Sequence, residues 1–113
     1  MDANKLIALI NIALIETNNF VIESKYFQGD EEIIVNTKKA LNLLRQEVEH
    51  QPNNINKRVL RALHDIGVAS FKYFENWPLE DAINNVTEML YNEIPEYKDL
   101  RPLRMDFGKG NPI

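Results

Sequence analysis

The run LIALINIALI, Leu6 to Ile15, admits three readings: a signal sequence, a membrane span or a buried helix. Lys5 precedes it, as a signal sequence would require, but Asn11 interrupts it, Glu16 follows at once and no small-residue cleavage site appears. The run is also shorter than the roughly 20 apolar residues a bilayer needs. A buried helix from about Asn4 to Val21 is left. Leu6, Ile7, Ile10, Leu14 and Ile15 form one face, and Ala8, Leu9, Ile12 and Ala13 broaden it. A helix apolar on most sides is expected at the centre of its bundle. On this reading the chain is expected to be soluble and cytoplasmic.

Working outward, three more segments show helical spacing. SKYFQGDEE, Ser24 to Glu32, reads as a loop with Gly29 as breaker. Asp30 is placed to cap a second helix, with Glu31 and Glu32 in its first turn, where negative charge suits the helix dipole. Ile33, Ile34, Ala40, Leu41, Leu44 and Val48 give that helix its apolar stripe as far as His50. QPNN, Gln51 to Asn54, is a turn. The third helix, about Ile55 to Phe74, carries Ile55, Val59, Ala62, Leu63, Ile66, Ser70 and Phe71 on one face. Gly67 in its interior costs about 1 kcal/mol against alanine, so either a neighbour comes close there or the helix bends. ENWPLED, Glu75 to Asp81, starts the fourth helix: Asn76 as cap, Pro78 in the first turn, Glu80 and Asp81 at the positive end. Leu79, Ala82, Ile83, Val86, Met89 and Leu90 continue to about Ile94, and Pro95 stops it.

No alternating run is long enough for a strand, and nothing splits the chain. The expected fold is all-α: one domain over residues 1–113, a compact bundle of about four helices in up-down order, with an extended C-terminal tail over about 95–113. That tail contains a turn of helix near Tyr97 to Leu100. The 113 residues, 44% hydrophobic, suffice for a core, and the lack of cysteine excludes thiolate zinc clusters and redox pairs.

Charge is unevenly spread. Residues 1–35 carry −4, residues 36–61 carry +4 and residues 62–113 carry −4, giving −4 overall. The sign argues against a general nucleic-acid binder and favours a basic protein partner. Lys38, Lys39, Arg45, Lys57, Arg58 and Arg61 supply the basic middle, and ion pairing within the domain accounts for them better than phosphate contact does.

Other candidate chemistry falls away. GKG, Gly108 to Gly110, lacks the strand before it and the helix behind it that a phosphate loop needs. Leu100, Leu103, Met105 and Phe107 instead make the tail a strap able to lie over the bundle. His64 and Asp65 are adjacent, so on a helix they point about 100° apart and form no acid–base pair. His50 and His64 show no metal-ligand spacing, and the carboxylates show no calcium-loop pattern. No enzyme activity, cofactor or metal is expected.

Two stretches carry a resemblance: RALHDIGVASFKYFENWPLEDAI, Arg61 to Ile83, and LRPLRMDFGKGNPI, Leu100 to Ile113. Over about its last half the chain resembles the small, acidic, helical immunity proteins of bacterial toxin–immunity pairs, especially those of contact-dependent growth inhibition. The resemblance implies a cytoplasmic protein that binds a cognate toxin domain and blocks its active site. Many such toxins are nucleases with a cationic cleft, which an acidic inhibitor would complement. Contact with nucleic acid or a membrane is not implied. No family contact residues are carried over. The candidate partner-binding residues rest on charge and aromatic character: Asp30, Glu31, Glu32, Glu75, Glu80 and Asp81, with Tyr26, Tyr73 and Trp77 as anchors; a core or capping role for Trp77 is the alternative. The rival expectations are a homo-oligomeric helical adaptor and a small regulator binding nucleic acid through the basic middle.

Overall fold

Three of the four helices begin where an amide without a helical partner is satisfied by a side chain or removed by proline. In the computed structural model, which describes residues 1–100, α1 spans Ala3–Glu23, and Asp2 caps it by accepting from the Lys5 N–H at 3.0 Å. α2 spans Glu32–His50. Its capping position is Glu31, one residue beyond the expected Asp30, and the Glu31 carboxylate turns back to accept from the Gln28 N–H at 2.7 and 2.8 Å. α3 spans Lys57–Tyr73, capped by Asn56, whose side chain accepts from the Arg58 N–H at 2.8 Å. α4 spans Pro78–Glu93, with Pro78 in the first turn, where no N–H is needed. Its capping position is Trp77 rather than Asn76. Asn76 adopts a left-handed φ of 67°, a conformation asparagine tolerates better than most residues, and its N–H donates to Glu80 Oε1 at 3.3 Å. A 3-10 turn, Pro95–Asp99, follows where a helical turn was expected. The rest of the expected tail lies outside the described residues.

The helices form a square. α1 packs on α2 and α4, and α3 packs on the same two. α1 is therefore a corner helix, not the expected centre. Its buried side is Leu6, Ile10, Ala13, Thr17 and Phe20. Ile15, placed on the core face by the sequence reading, is 58% exposed, and Ile12 and Ile22 also face outward. Uniform apolarity gives a helix no rotational phase, and the phase here includes a polar core residue. Thr17 is tolerated because its hydroxyl donates to the Ala13 carbonyl at 2.7 Å. Thr37 and Ser70, the other buried polar residues, do the same with the Ile33 and Gly67 carbonyls. At 21 residues, α1 has the length and composition to cross a membrane, which the shorter run read alone did not.

The stripes of α2 and α4 are buried much as read, but on α3 Phe71 is 60% exposed. The α3 core face runs through Leu63, Ile66 and Ser70, and Phe71 is rotated about 100° away from Ser70. α3 is helical through Gly67, where an added Cβ would lie 3.4 Å from Thr87 Cγ2. The glycine thus marks a close approach of α4.

Candidate functional site

In an up-down bundle the first and third connections lie at the same end. Here those connections are residues 24–31 and 74–77, and with the first turns of α2 and α4 that follow them they hold both acidic clusters. Phe20, in the last turn of α1, ties the two together. Its ring meets Phe27 of the first connection at 5.1 Å, Phe74 at the end of α3 at 4.8 Å and Trp77 at 4.7 Å. The last two contacts are edge-on, a favourable geometry for aromatic rings.

All nine residues singled out from the sequence lie in the first and third connections or within about one helical turn of them, at this end of the bundle. Asp30, Glu32, Glu75 and Asp81 are exposed, and among the described residues they make no side-chain hydrogen bond. Glu31 and Glu80 are half-buried, and each accepts from a backbone N–H of the connection at its helix start. Residues 23–32 and 72–81 together hold seven acids against Lys25 and Lys72, a net −5. Tyr26 is 88% exposed and Tyr73 is 42% exposed, so both rings stand at the surface among the carboxylates. Trp77 differs: it is half-buried, occupies the capping position of α4 without a side-chain cap bond and packs on Phe20, so it is mainly a packing residue.

Phe20, Phe27 and Phe74 escaped the sequence reading. The signal that would have found the site is connectivity, since in any up-down bundle of four helices the first and third loops are neighbours.

The opposite end carries the basic residues Lys57, Arg58 and Arg61, interspersed with Glu47, Glu93, Glu96 and Asp99. Glu47 Oε1 accepts from the Asn56 N–H at 2.7 Å and from Gln51 Nε2 at 3.0 Å, closing the turn between α2 and α3. His64, half-buried, places Nε2 2.7 Å from the Tyr97 carbonyl oxygen, and its ring stacks on Tyr97 at 4.0 Å. It therefore pins the 3-10 turn to α3. Burial raises the Tyr97 phenol above its ordinary range. Arg45, half-way along the bundle, donates to Asn11 and Asn42. Among the described residues no group of three acidic or histidine side chains comes together as metal ligands.

A rigid aromatic base, exposed carboxylates and two surface tyrosines make a face suited to a cationic protein surface. No protein-family model matches the chain, and neither a curated protein nor a solved structure matches it.

Proposed function

We propose that this chain is a cytoplasmic immunity protein that binds a cognate toxin domain, a basic nuclease, and neutralises it by covering the active site. The observation that carries this reading is the convergence of two acidic clusters, remote in sequence, on one end of the bundle around Tyr26 and Tyr73. A face of net −5 would draw in a surface built to hold phosphates and exclude nucleic acid from it. The tyrosines supply anchors of large area and low conformational cost. The resemblance of Arg61 to Ile83 and Leu100 to Ile113 to bacterial immunity proteins points the same way.

The test is co-expression with the polypeptide encoded immediately upstream, followed by sizing at moderate salt. The expected result is a one-to-one complex and protection of cells from the partner's toxicity. A chain that elutes alone and gives no protection would remove the reading.

A second reading, a homo-oligomeric adaptor, is favoured by one observation. The outward face of α1 runs through Ala8, Ile12, Ile15 and Ile22 with only asparagine between them, so it presents exposed isoleucine and no charge. A mass measurement of the chain alone separates the two: the adaptor requires a dimer or larger, and the immunity reading a monomer.

A further inference from the structure

Between α3 and α4 runs an open trough of about 470 Å3. Gly67 and Thr87, both small and half-buried, face each other across it, and a Cβ on Gly67 would lie 3.4 Å from Thr87 Cγ2. Large side chains stand on either side of them. Phe71 is 60%, Tyr91 51% and Val68 43% exposed, and all three line the trough. Monomeric proteins seldom leave such patches uncovered.

Charge says what kind of surface would cover it. Residues 64–98, from which both walls are built, carry seven acids against Lys72 and Lys98, a net −5. Both lysines already lie over aromatic rings, Lys72 over Tyr73 and Lys98 over Tyr91, each 5.4 Å from the ring centre. The Tyr91 wall thus attracts a cation within the protein itself. Among the described residues the Phe71 ring has no cation or second ring against it. Glu88, exposed in the lining one turn before Tyr91, makes no side-chain hydrogen bond among the described residues. Phe71 is in the last turn of α3 and Asn84 in the second turn of α4, so the trough runs up to the acidic end of the bundle.

We infer that the α3–α4 trough is a docking site for a basic amphipathic helix of a partner protein. The apolar ridge of that helix enters between Val68, Phe71 and Tyr91, and its arginines reach Glu88 and stack on the exposed Phe71 ring. A helix is the matching shape, because two adjacent helices leave a groove that the side-chain ridge of a third fills. His64 to Phe71 covers about 10 Å along α3, so roughly two turns of the incoming helix fill the trough. Arginine suits the walls better than lysine, since its planar guanidinium stacks on aromatic faces while it pairs with a carboxylate. The site lies beside the acidic connections and does not require the partner to be a toxin.

Two synthetic helical peptides of about 14 residues, roughly four turns, test it. One carries leucine along one face and arginine along its flanks; the other has glutamine in place of each leucine and the same charge. Each is titrated into the isotope-labelled full chain and followed by the backbone amide resonances. The leucine–arginine peptide is expected to shift Gly67, Val68, Phe71, Thr87 and Tyr91, and to bind about tenfold or more tightly than the glutamine–arginine peptide. Phe71→Ser, at an exposed position outside the core, is expected to weaken it about tenfold, and Glu88→Gln about twofold to threefold. Ile15→Ser on the outward face of α1 is the control and is expected to leave binding unchanged. Circular dichroism verifies that the variants retain the helical fold. Equal binding of the two peptides would reduce the attraction to charge alone and overturn the proposal. So would shifts confined to α1, or binding that Phe71→Ser leaves intact. Shifts of the same trough amides with protein concentration, in the absence of peptide, would place a second copy there and overturn it too. Success or failure of co-purification with a toxin domain changes none of these outcomes, so this inference and the immunity reading stand or fall separately.

Discussion

At one end of the bundle the connections are fastened by aromatic rings; at the other they are fastened by hydrogen bonds. At the acidic end Phe20 touches Phe27, Phe74 and Trp77, so both connections share one apolar plug. At the opposite end Glu47 closes the turn from α2 to α3, and His64 fixes the 3-10 turn. The difference lies in what each end has left for an outside partner. A carboxylate that holds its own turn, as Glu47 does, is committed. At the acidic end Glu31 and Glu80 are committed in the same way, but Asp30, Glu32, Glu75 and Asp81 are exposed and make no side-chain hydrogen bond among the described residues.

The contrast breaks most severely at Phe20. Phe20→Ala removes a ring shared by two connections and is expected to cost about 3–5 kcal/mol, as large-to-small core changes do. Chemical denaturation would read it, and a cost below about 1 kcal/mol would mean the plug is not what fastens this end.

Neutralising the outward acids comes next. The combined substitution Asp30→Asn, Glu32→Gln, Glu75→Gln and Asp81→Asn leaves Glu31 and Glu80 to their backbone N–H groups. It is expected to slow association with a cationic toxin domain about tenfold to a hundredfold and to flatten its salt dependence, while the fold persists. Lys57→Gln with Arg58→Gln, at the other end, is expected to change that rate less than about twofold. Stopped-flow association at two salt concentrations makes the comparison.

Glu47→Ala tests the hydrogen-bonded end. It leaves the Asn56 N–H and the Gln51 amide without their acceptor, and a loss of about 1–2 kcal/mol is expected in the same denaturation assay. The asymmetry is then that a carboxylate matters to folding at one end and to association at the other.

Tyr97 gives that end a pH signature. Its folded-state phenol titrates above the ordinary value of 10.0, so the stability it contributes is complete below that value and is lost as pH rises through it. Between about pH 10 and 11 the wild type is expected to lose roughly 1 kcal/mol that Tyr97→Phe does not lose. Parallel pH profiles for the two proteins would contradict this.

The smallest effect is expected mid-bundle, where Gly67→Ala gains helix propensity and places its Cβ 3.4 Å from Thr87 Cγ2. That distance is close to ordinary contact, so a net stabilisation of about 0.5 kcal/mol is expected by thermal unfolding. A loss of stability would mean that Thr87 cannot yield.

Helix positions were legible in the sequence because local chemistry writes them. Pro78, Pro95 and the QPNN turn stop or start helices whatever they pack against. Two caps were misplaced by a single residue, because Glu31 and Trp77 occupy capping positions without using their side chains as caps. The rotation of α1 was not legible, since its apolar residues point in every direction and packing alone selected Leu6, Ile10, Ala13, Thr17 and Phe20. The acidic residues were legible singly, as dipole partners at two helix starts. Their union was not, because it depends on the up-down path and on Phe20, which no local pattern marks.

The central claim is that the partner lies on the acidic end. Hydrogen–deuterium exchange of the chain, free and in complex with the co-purified toxin domain, tests it most directly. Slowed exchange is expected in residues 24–32 and 73–81 together, with little change in residues 51–61. Protection confined to the outward face of α1 or to residues 51–61, with the two acidic connections unchanged, would contradict it.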